Sequence, residues 1–407
     1  MAVTRLEPSF HRLWAATALS NVGDGLVVVG APLIAVGLTR SPFLVSLVSA
    51  AATLPWLLFA LPVGALVDRH DRRVLLAAAN WGRAAVLLVF AAVAWLDLLH
   101  LPLLLASLLL AGACEVVSDS TGQSLTPMVV PQERLPVANG RLFAAQTVGN
   151  NFVGAPLAGL LLGALGQAAL LAAPALLYTG AAAMLVGLRG RFRVQSDTAG
   201  VRADIVAGLR FLRDHRVLRS LALFAGLFNF ASAAYFAVFV LWVVGDQSRV
   251  RLEAGGYGLL MVALAAGAIG GSLLMERQVR SLPRVLIMSA VLNSLLLLVP
   301  VVVPVAAVIG VVAVLMGATS AMFNVAIQSL RQQLTPESIL GRVNATARLI
   351  GMGTMPIGAL AGGVLGDHAG LPAVFCAAAA LCLVAVAIAG RSVTARAVAS
   401  RSAAAST

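Results

Sequence analysis

Four side chains of this sequence carry charge inside long apolar runs: Asp24, Arg83, Glu115 and Asp119. An ionisable group among apolar residues is costly unless it pairs, exchanges a proton or meets water, so it marks a site. At a helical rise of ~1.5 Å per residue, Asp24 lies ~16 Å into its run and Arg83 ~13 Å into the next but one. The runs holding Arg83 and Glu115 form a hairpin centred near residues 98 and 99, which sets position 83 opposite position 114. Arg83 and Glu115 are therefore expected to pair. Asp119, one helical turn nearer the basic stretch at 69–73, is expected to meet those arginines. Asp24 is left as the acid without a cation, and such an acid is suited to carry a proton. The competing reading makes Asp24 a polar residue lining a wet cavity. The chemistry these four predict is proton exchange.

Other chemistries find no residues. Cys114, Cys376 and Cys382 lie in apolar runs without CxxC or Cys/His spacing, so neither a disulfide framework nor a metal site is expected. Gly351-Met352-Gly353 follows no strand and is no dinucleotide fingerprint. Nucleophile–base sets and phosphate loops are missing, so no enzyme, cofactor or ATP-driven pump is expected.

The elements that must position these charges are helices in a membrane. Of 407 residues, 60% are hydrophobic and 11% charged, with mean hydropathy +0.97. A soluble domain is about half apolar and a quarter charged, which excludes a soluble enzyme, a nucleic-acid-binding domain and a disordered chain. A crossing takes about 20 apolar residues, and twelve runs qualify: 13–38, 43–67, 74–96, 101–125, 138–163, 168–188, 217–243, 256–275, 285–303, 305–329, 343–365 and 371–390. The first is too long for a signal-peptide core and lacks a cleavage pattern. The expected fold class is an all-α membrane protein of two six-helix bundles.

Charge orients the bundle. All 28 basic residues are arginine, and the net charge is +12. With the N-terminus in the cytoplasm, 24 arginines fall in inner segments and three, Arg40, Arg249 and Arg251, in outer loops. That bias places both termini inside and accounts for the basicity without nucleic acid. The expected domains are 1–188, a linker at 189–216, 217–390 and a cytoplasmic tail at 391–407. Within the linker, Val201, Ile205, Leu209 and Leu212 recur at helical spacing beside arginines, as in an amphipathic helix on the inner leaflet.

The halves repeat. Gln123-Ser124-Leu125 returns as Gln328-Ser329-Leu330; Pro131 and Pro336, and Asn139 and Asn344, keep the same offset of 205. Gly154-Ala-Pro-Leu-Ala-Gly159 answers Gly358-Ala-Leu-Ala-Gly-Gly363. A parallel 6+6 duplication is the architecture of a two-bundle transporter. The offset maps Glu115 onto Ser320 and Asp119 onto Asn324, while aligning Asn21 with Asn229 sets Ser232 opposite Asp24. The second half keeps polarity and loses titratable groups, so proton chemistry is expected in the first.

Two motifs serve movement. Gly64-Ala-Leu-Val-Asp68-Arg69-His-Asp71-Arg72-Arg73 is a short charged loop, in which Asp68 can accept from a helix N-terminus and Arg69, Arg72 and Arg73 can grip carboxylates or anionic lipid. Such a loop can latch helix ends in one transport state. In predicted helix 5, Gly149, Gly154 and Gly159 allow close backbone approach and Pro156 kinks the helix.

The loop resembles the G-x-L-x-D-R-x-G-R-R signature of the major facilitator superfamily, with Asp71 in place of its second glycine. The helix 5 stretch is similar to the Gly/Pro-rich motif of antiporters in that superfamily. Asn21-Val-Gly-Asp24 and Gly208-Leu-Arg-Phe-Leu-Arg213 resemble its enterobactin-exporter and macrolide-efflux branch. The resemblance runs from Leu13 to Gly390. It implies a monomeric, proton-coupled exporter in a bacterial cytoplasmic membrane, with small hydrophobic or amphipathic molecules, protons and lipids as partners. An importer or facilitator of the same fold, or a lipid transporter, are the alternatives. It also implies that the first helix of each half lines a central cavity. Asn21, Phe224, Phe228, Asn229, Ser232, Tyr235, Ser320 and Asn324 are the expected cavity residues; the rings could equally pack against neighbours.

Overall fold

The computed structural model describes residues 8–188, 192, 209–278 and 282–390. The amphipathic segment expected from Val201 lies largely outside these residues, as does the tail at 391–407. The side chain of Asp68 also lies outside them.

The described residues are helical apart from turns, with one isolated β-bridge between Val244 and Leu252. The helices are α1 (Pro8–Leu38), α2 (Pro42–Arg69), α3 (Arg72–Trp95), α4 (Leu101–Val129), α5 (Leu135–Thr147), α6 (Ala155–Val186), α7 (Arg216–Val243), α8 (Ala254–Gln278), α9 (Leu282–Leu296), α10 (Ala306–Gln333), α11 (Glu337–Ala369) and α12 (Leu371–Gly390). Between α5 and α6 the chain stays helical but winds as a π-helix over Val148–Gly154. Among the described residues, eleven stretches are long and apolar enough to cross a membrane. One of them, Gln132–Val186, has 55 residues, far more than one crossing takes. It breaks at Gly166, whose φ of +79° and ψ of −176° suit glycine alone. Gly166 falls in the gap between predicted helices 5 and 6.

The chain forms two compact units. Unit 1 holds residues 1–39, 51–198 and 253–259; unit 2 holds 40–50, 199–252 and 260–407. The units therefore depart from a cut at the linker, because the start of α2 belongs to unit 2 and the start of α8 to unit 1. In unit 1, α1 packs on α6 and on the π-segment, and α3 packs on α4 and α6. In unit 2, α7 packs on α12 and α11, and α9 packs on α10 and α12. Each pairing in unit 1 has its counterpart six helices later in unit 2, as a duplicated chain requires.

Small residues set these approaches. A methyl group on Gly154 would stand 2.6 Å from the Val22 carbonyl oxygen of α1, and one on Gly25 would collide with the Asn150 carbonyl of the π-segment. In unit 2, methyl groups on Gly358 and Gly362 would strike the carbonyls of Phe230 and Ala234 on α7. Backbone-to-backbone packing of this kind is how helices associate where lipid is as apolar as leucine.

Candidate functional site: a buried charge cluster and a polar cavity

The charged residues of the first half meet inside unit 1. Arg83 is 2% exposed and lies among α1, α3, α4 and α6. Its guanidinium donates to Asp24 of α1 and, at 2.8 Å, to the Tyr178 hydroxyl of α6. The same hydroxyl donates to Asp24 at 2.8 Å, closing a three-membered ring of bonds. Ser20 accepts from Arg83 at 3.4 Å, and Glu115 of α4 stands 3.5 Å away. The guanidinium carbon is 3.9 Å from the centre of the Tyr178 ring, a cation–π contact. Gly23 makes room for that ring, since a methyl group there would lie 2.7 Å from it.

The expected pair of Arg83 with Glu115 is present at 3.5 Å; what is corrected is Asp24, the acid expected to lack a cation, which is bonded by Arg83 and Tyr178. Asp24 is the primary partner of Arg83, and Glu115 is the loosely held acid. Its side chain is 33% exposed, against 12% for Asp24. Depth along a helix placed the three groups at one level. Rotation about the helix axis, set by the packing of α1 and α3 against α6, decided which of them touch. Tyr178 was missed; the signal available was a rare tyrosine, one of three in the chain, inside an otherwise apolar run.

A cavity of about 470 Å³ adjoins the cluster. Asn21, Asn80, Asp119, Gln123, Asn139 and Gln146 are among its walls, and Ser20 joins it to Arg83. Asp119 thus lines a cavity next to the charges. Asn21 donates to the Thr17 carbonyl at 2.8 Å and accepts from Asn150 of the π-segment at 3.4 Å. A methyl group on Gly149 would stand 3.1 Å from the Asn21 side chain, so the glycine motif lets the π-segment close on this wall.

In the π-segment the Ala155 N–H reaches back to the Asn150 carbonyl, five residues away. Pro156 follows at the start of α6 and has no N–H to offer. The expected kink is thus a widened turn, a form frequent at functional sites. Gly159 lies against the backbone of Ala254 at the start of α8, inside unit 1.

The loop between α2 and α3 holds the end of α6. Asp71 caps α3, accepting from the N–H of Arg73 at 2.9 Å and of Val74 at 3.3 Å. Its φ of −64° needs no glycine, which explains how the sequence departs from the signature there without cost. Arg73 donates to the Leu188 carbonyl at 2.7 Å, the Arg72 N–H to the Phe192 carbonyl at 3.1 Å, and Arg12 to the Gly187 carbonyl. Cations on the last carbonyls of a helix also complement its dipole. Arg69 is exposed, and Gly64 has open space where a methyl group would go.

The residues expected from the second half lie in unit 2. Phe224 and Phe228 are 2% and 3% exposed and pack on Phe323 of α10, Phe228 stacked at 4.3 Å. Tyr235 is fully buried against Phe239 and Phe375. Asn229 donates to the Gly351 carbonyl at 3.3 Å, and Asn324, exposed, donates to the Ser320 carbonyl at 2.9 Å. Ser232 is half-buried. These rings fill the interior of unit 2, while the charges and the large polar cavity are in unit 1. Among the described residues there is no group of His, Cys, Asp or Glu that could hold a metal ion.

Comparison with known proteins agrees with this architecture. The chain is 27% identical over 395 residues to the multidrug efflux pump Tap of Mycobacterium tuberculosis, covering 91% of this chain and 90% of that protein. It is 23% identical over 370 residues to macrolide efflux protein A of Streptococcus pyogenes, covering 89% and 90%. An uncharacterized MFS-type transporter of Mycobacterium tuberculosis matches at 32% over 151 residues, 36% of this chain and only 34% of that relative. Among solved structures, a bacterial homologue of the iron transporter ferroportin in an inward-facing state superposes with a TM-score of 0.76 at 17% identity, covering 96% of this chain and all of that one. The family model described as transmembrane secretion effector matches residues 5–407. Duplicated helical units, the signature loop and this match make the chain a multi-pass transporter of the major facilitator superfamily, in its transmembrane secretion effector family.

Proposed function

We propose that the chain is a proton-coupled exporter of a small hydrophobic or amphipathic compound, working by alternating access in a bacterial cytoplasmic membrane. It crosses twelve times, with Gly166 turning the chain between the fifth and sixth crossings and both termini inside. The observation that carries this reading is the buried cluster of two carboxylates on one guanidinium. With Asp24 and Glu115 both ionised, the cluster holds one negative charge too many, and an unbalanced charge is costly at such depth. A single proton on Glu115 removes it. Asp24, held by Arg83 and Tyr178, keeps the arginine in place. Glu115 is thus the exchanging acid, and Asp24, Arg83 and Tyr178 are positioning residues. The arginine-rich loop between α2 and α3 acts as a latch on the end of α6. Relatives whose names record efflux support the outward direction.

Everted vesicles with an imposed pH gradient provide the test. Vesicles carrying the chain should accumulate an amphipathic fluorescent substrate when the lumen is acid, and collapse of the gradient should release it. Accumulation that ignores the gradient, or that runs in the opposite sense, would overturn the reading.

A further inference from the structure

We infer that Phe192 is a positioning residue of the polar cavity: Asp71 and Arg72 clasp its backbone, and its ring braces the cavity wall from behind. Its effect on transport rests on the export reading above; the clasp and the bracing do not.

Phe192 follows the end of α6, in the stretch expected to leave unit 1 as a linker. It is nevertheless 6% exposed. Two bonds fix its backbone. The Phe192 N–H donates to Asp71 Oδ2 at 3.3 Å, and the Arg72 N–H donates to the Phe192 carbonyl at 3.1 Å. Asp71 is thus used at both oxygens, Oδ1 on the N–H groups of Arg73 and Val74 and Oδ2 on Phe192. A glycine at position 71 could do neither. Arg73 on the Leu188 carbonyl and Arg12 on the Gly187 carbonyl hold the chain just before it.

The ring belongs to one apolar cluster with Leu13 and Ala16 of α1, Leu76 of α3 and Leu185 of α6. The same four residues line the cavity. Each therefore has the cavity on one side and the cluster on the other. Removing a buried ring leaves a void into which its neighbours relax only in part, so the ring holds this wall in shape. The wall leads on to the charges. Ala16 and Ser20 are four residues apart on α1, hence on one face, and Ser20 lines the cavity and accepts from Arg83. The Leu76 carbonyl accepts from Asn80, another wall residue. The chain leaving α6 is thereby fastened to the helices that surround the charge cluster.

Asp71→Asn and Asp71→Ser separate the clasp from the helix cap. Both replacements cap helices well, but Asn turns a donor toward the Phe192 N–H and Ser has no second oxygen. Deuterium exchange at the Phe192 N–H should speed up by about tenfold or more in both, as loss of a hydrogen bond to a charged group implies, with exchange at Arg73 and Val74 nearly unchanged. Position 118 reads the wall: Ser118 is 7% exposed and lines the cavity. In a chain whose three native cysteines are replaced by alanine, Ser118→Cys should react slowly with a small methanethiosulfonate. Adding Phe192→Ala should speed that reaction about fivefold, and Phe192→Leu, which keeps a large apolar side chain, should restore most of the protection. Asp71→Asn leaves the ring intact and should also speed it, so a Phe192→Ala chain that fails to fold leaves the test standing. In vesicles, Phe192→Ala should raise the concentration of daunorubicin at half-maximal uptake by about threefold, more than it lowers the maximal rate. Exchange at Phe192 unchanged in both Asp71 variants overturns the proposal. So does equal reactivity at position 118 with and without the ring, or half-maximal uptake unmoved in a variant that transports. The first two measurements use purified protein without a gradient, so they decide the positioning role whatever the vesicles do; wild-type uptake that ignores the gradient sinks the export reading alone.

Discussion

At the scale of single residues, the cluster separates an exchanging acid from the acid that holds the arginine. Glu115→Gln should abolish gradient-driven transport in vesicles while equilibrium exchange of substrate continues; normal uphill transport by this variant would remove Glu115 from the mechanism. Arg83→Ala strands two carboxylates, and breaking a buried pair in this way costs about 3–5 kcal/mol. Its folded yield and unfolding temperature should fall, and adding Asp24→Asn should recover much of the loss. Strictly additive damage would mean that the two groups are not coupled. Tyr178→Phe removes the hydroxyl that links Arg83 to Asp24 and should cost about 1–2 kcal/mol, measurable as a lower unfolding temperature. All four charged positions were legible in the sequence, because charge in an apolar run is conspicuous. The partner of Asp24 was not, since Asp24 and Glu115 lie at similar depth and only the rotation of α1 and α3 tells them apart.

At the scale of elements, glycines of similar sequence context serve different ends. Gly25, Gly154, Gly358 and Gly362 face backbone carbonyls of a neighbouring helix, whereas Gly64 and Gly163 face open space. Gly25→Ala, Gly154→Ala and Gly362→Ala must each push two helical segments apart, and overpacking of this kind costs about 1–3 kcal/mol. Gly163→Ala should be neutral or mildly stabilising. Thermal unfolding of the four purified single variants at positions 25, 154, 163 and 362 tests this. Equal losses at all four would mean that helix contact is not what these glycines provide. The glycine spacing was readable beforehand as close packing. The π-turn was not, since winding by five residues arises from how Pro156 and the contacts to α1 are accommodated together. Asp71 is a further case: the departure from the signature glycine became intelligible once its side chain was found on the N–H groups of α3.

At the scale of the whole molecule, the duplication is expressed as two units that each take a piece of the other half of the chain. Residues 40–50 of α2 belong to unit 2, and residues 253–259 of α8 to unit 1. In both halves it is the start of the second helix that is exchanged. Gly363 against Ser46 and Phe43, and Gly159 against Ala254, are the close approaches that hold these pieces. The arginine distribution makes a separate statement about the molecule in its membrane. In intact cells, Arg251→Cys should react with a membrane-impermeant thiol reagent, and Arg69→Cys only after permeabilisation; both side chains are exposed. The opposite pattern would invert the topology.

By itself the sequence determined the class of molecule. A chain that is 60% hydrophobic, with most of its charge between long apolar runs, must bury its backbone hydrogen bonds in lipid, and helices do so within one segment. Its repeat of about half the chain likewise dictated paired helical units, and its isolated charges marked where chemistry would lie. Tertiary structure alone decided that Arg83 binds Asp24 and Tyr178 before Glu115. It also closed the rings of α7 into the interior of unit 2 and opened a polar cavity beside Asp119. The reason is physical: apolar periodicity constrains a helix along its length, whereas rotation and close approach depend on contacts between residues far apart in the chain.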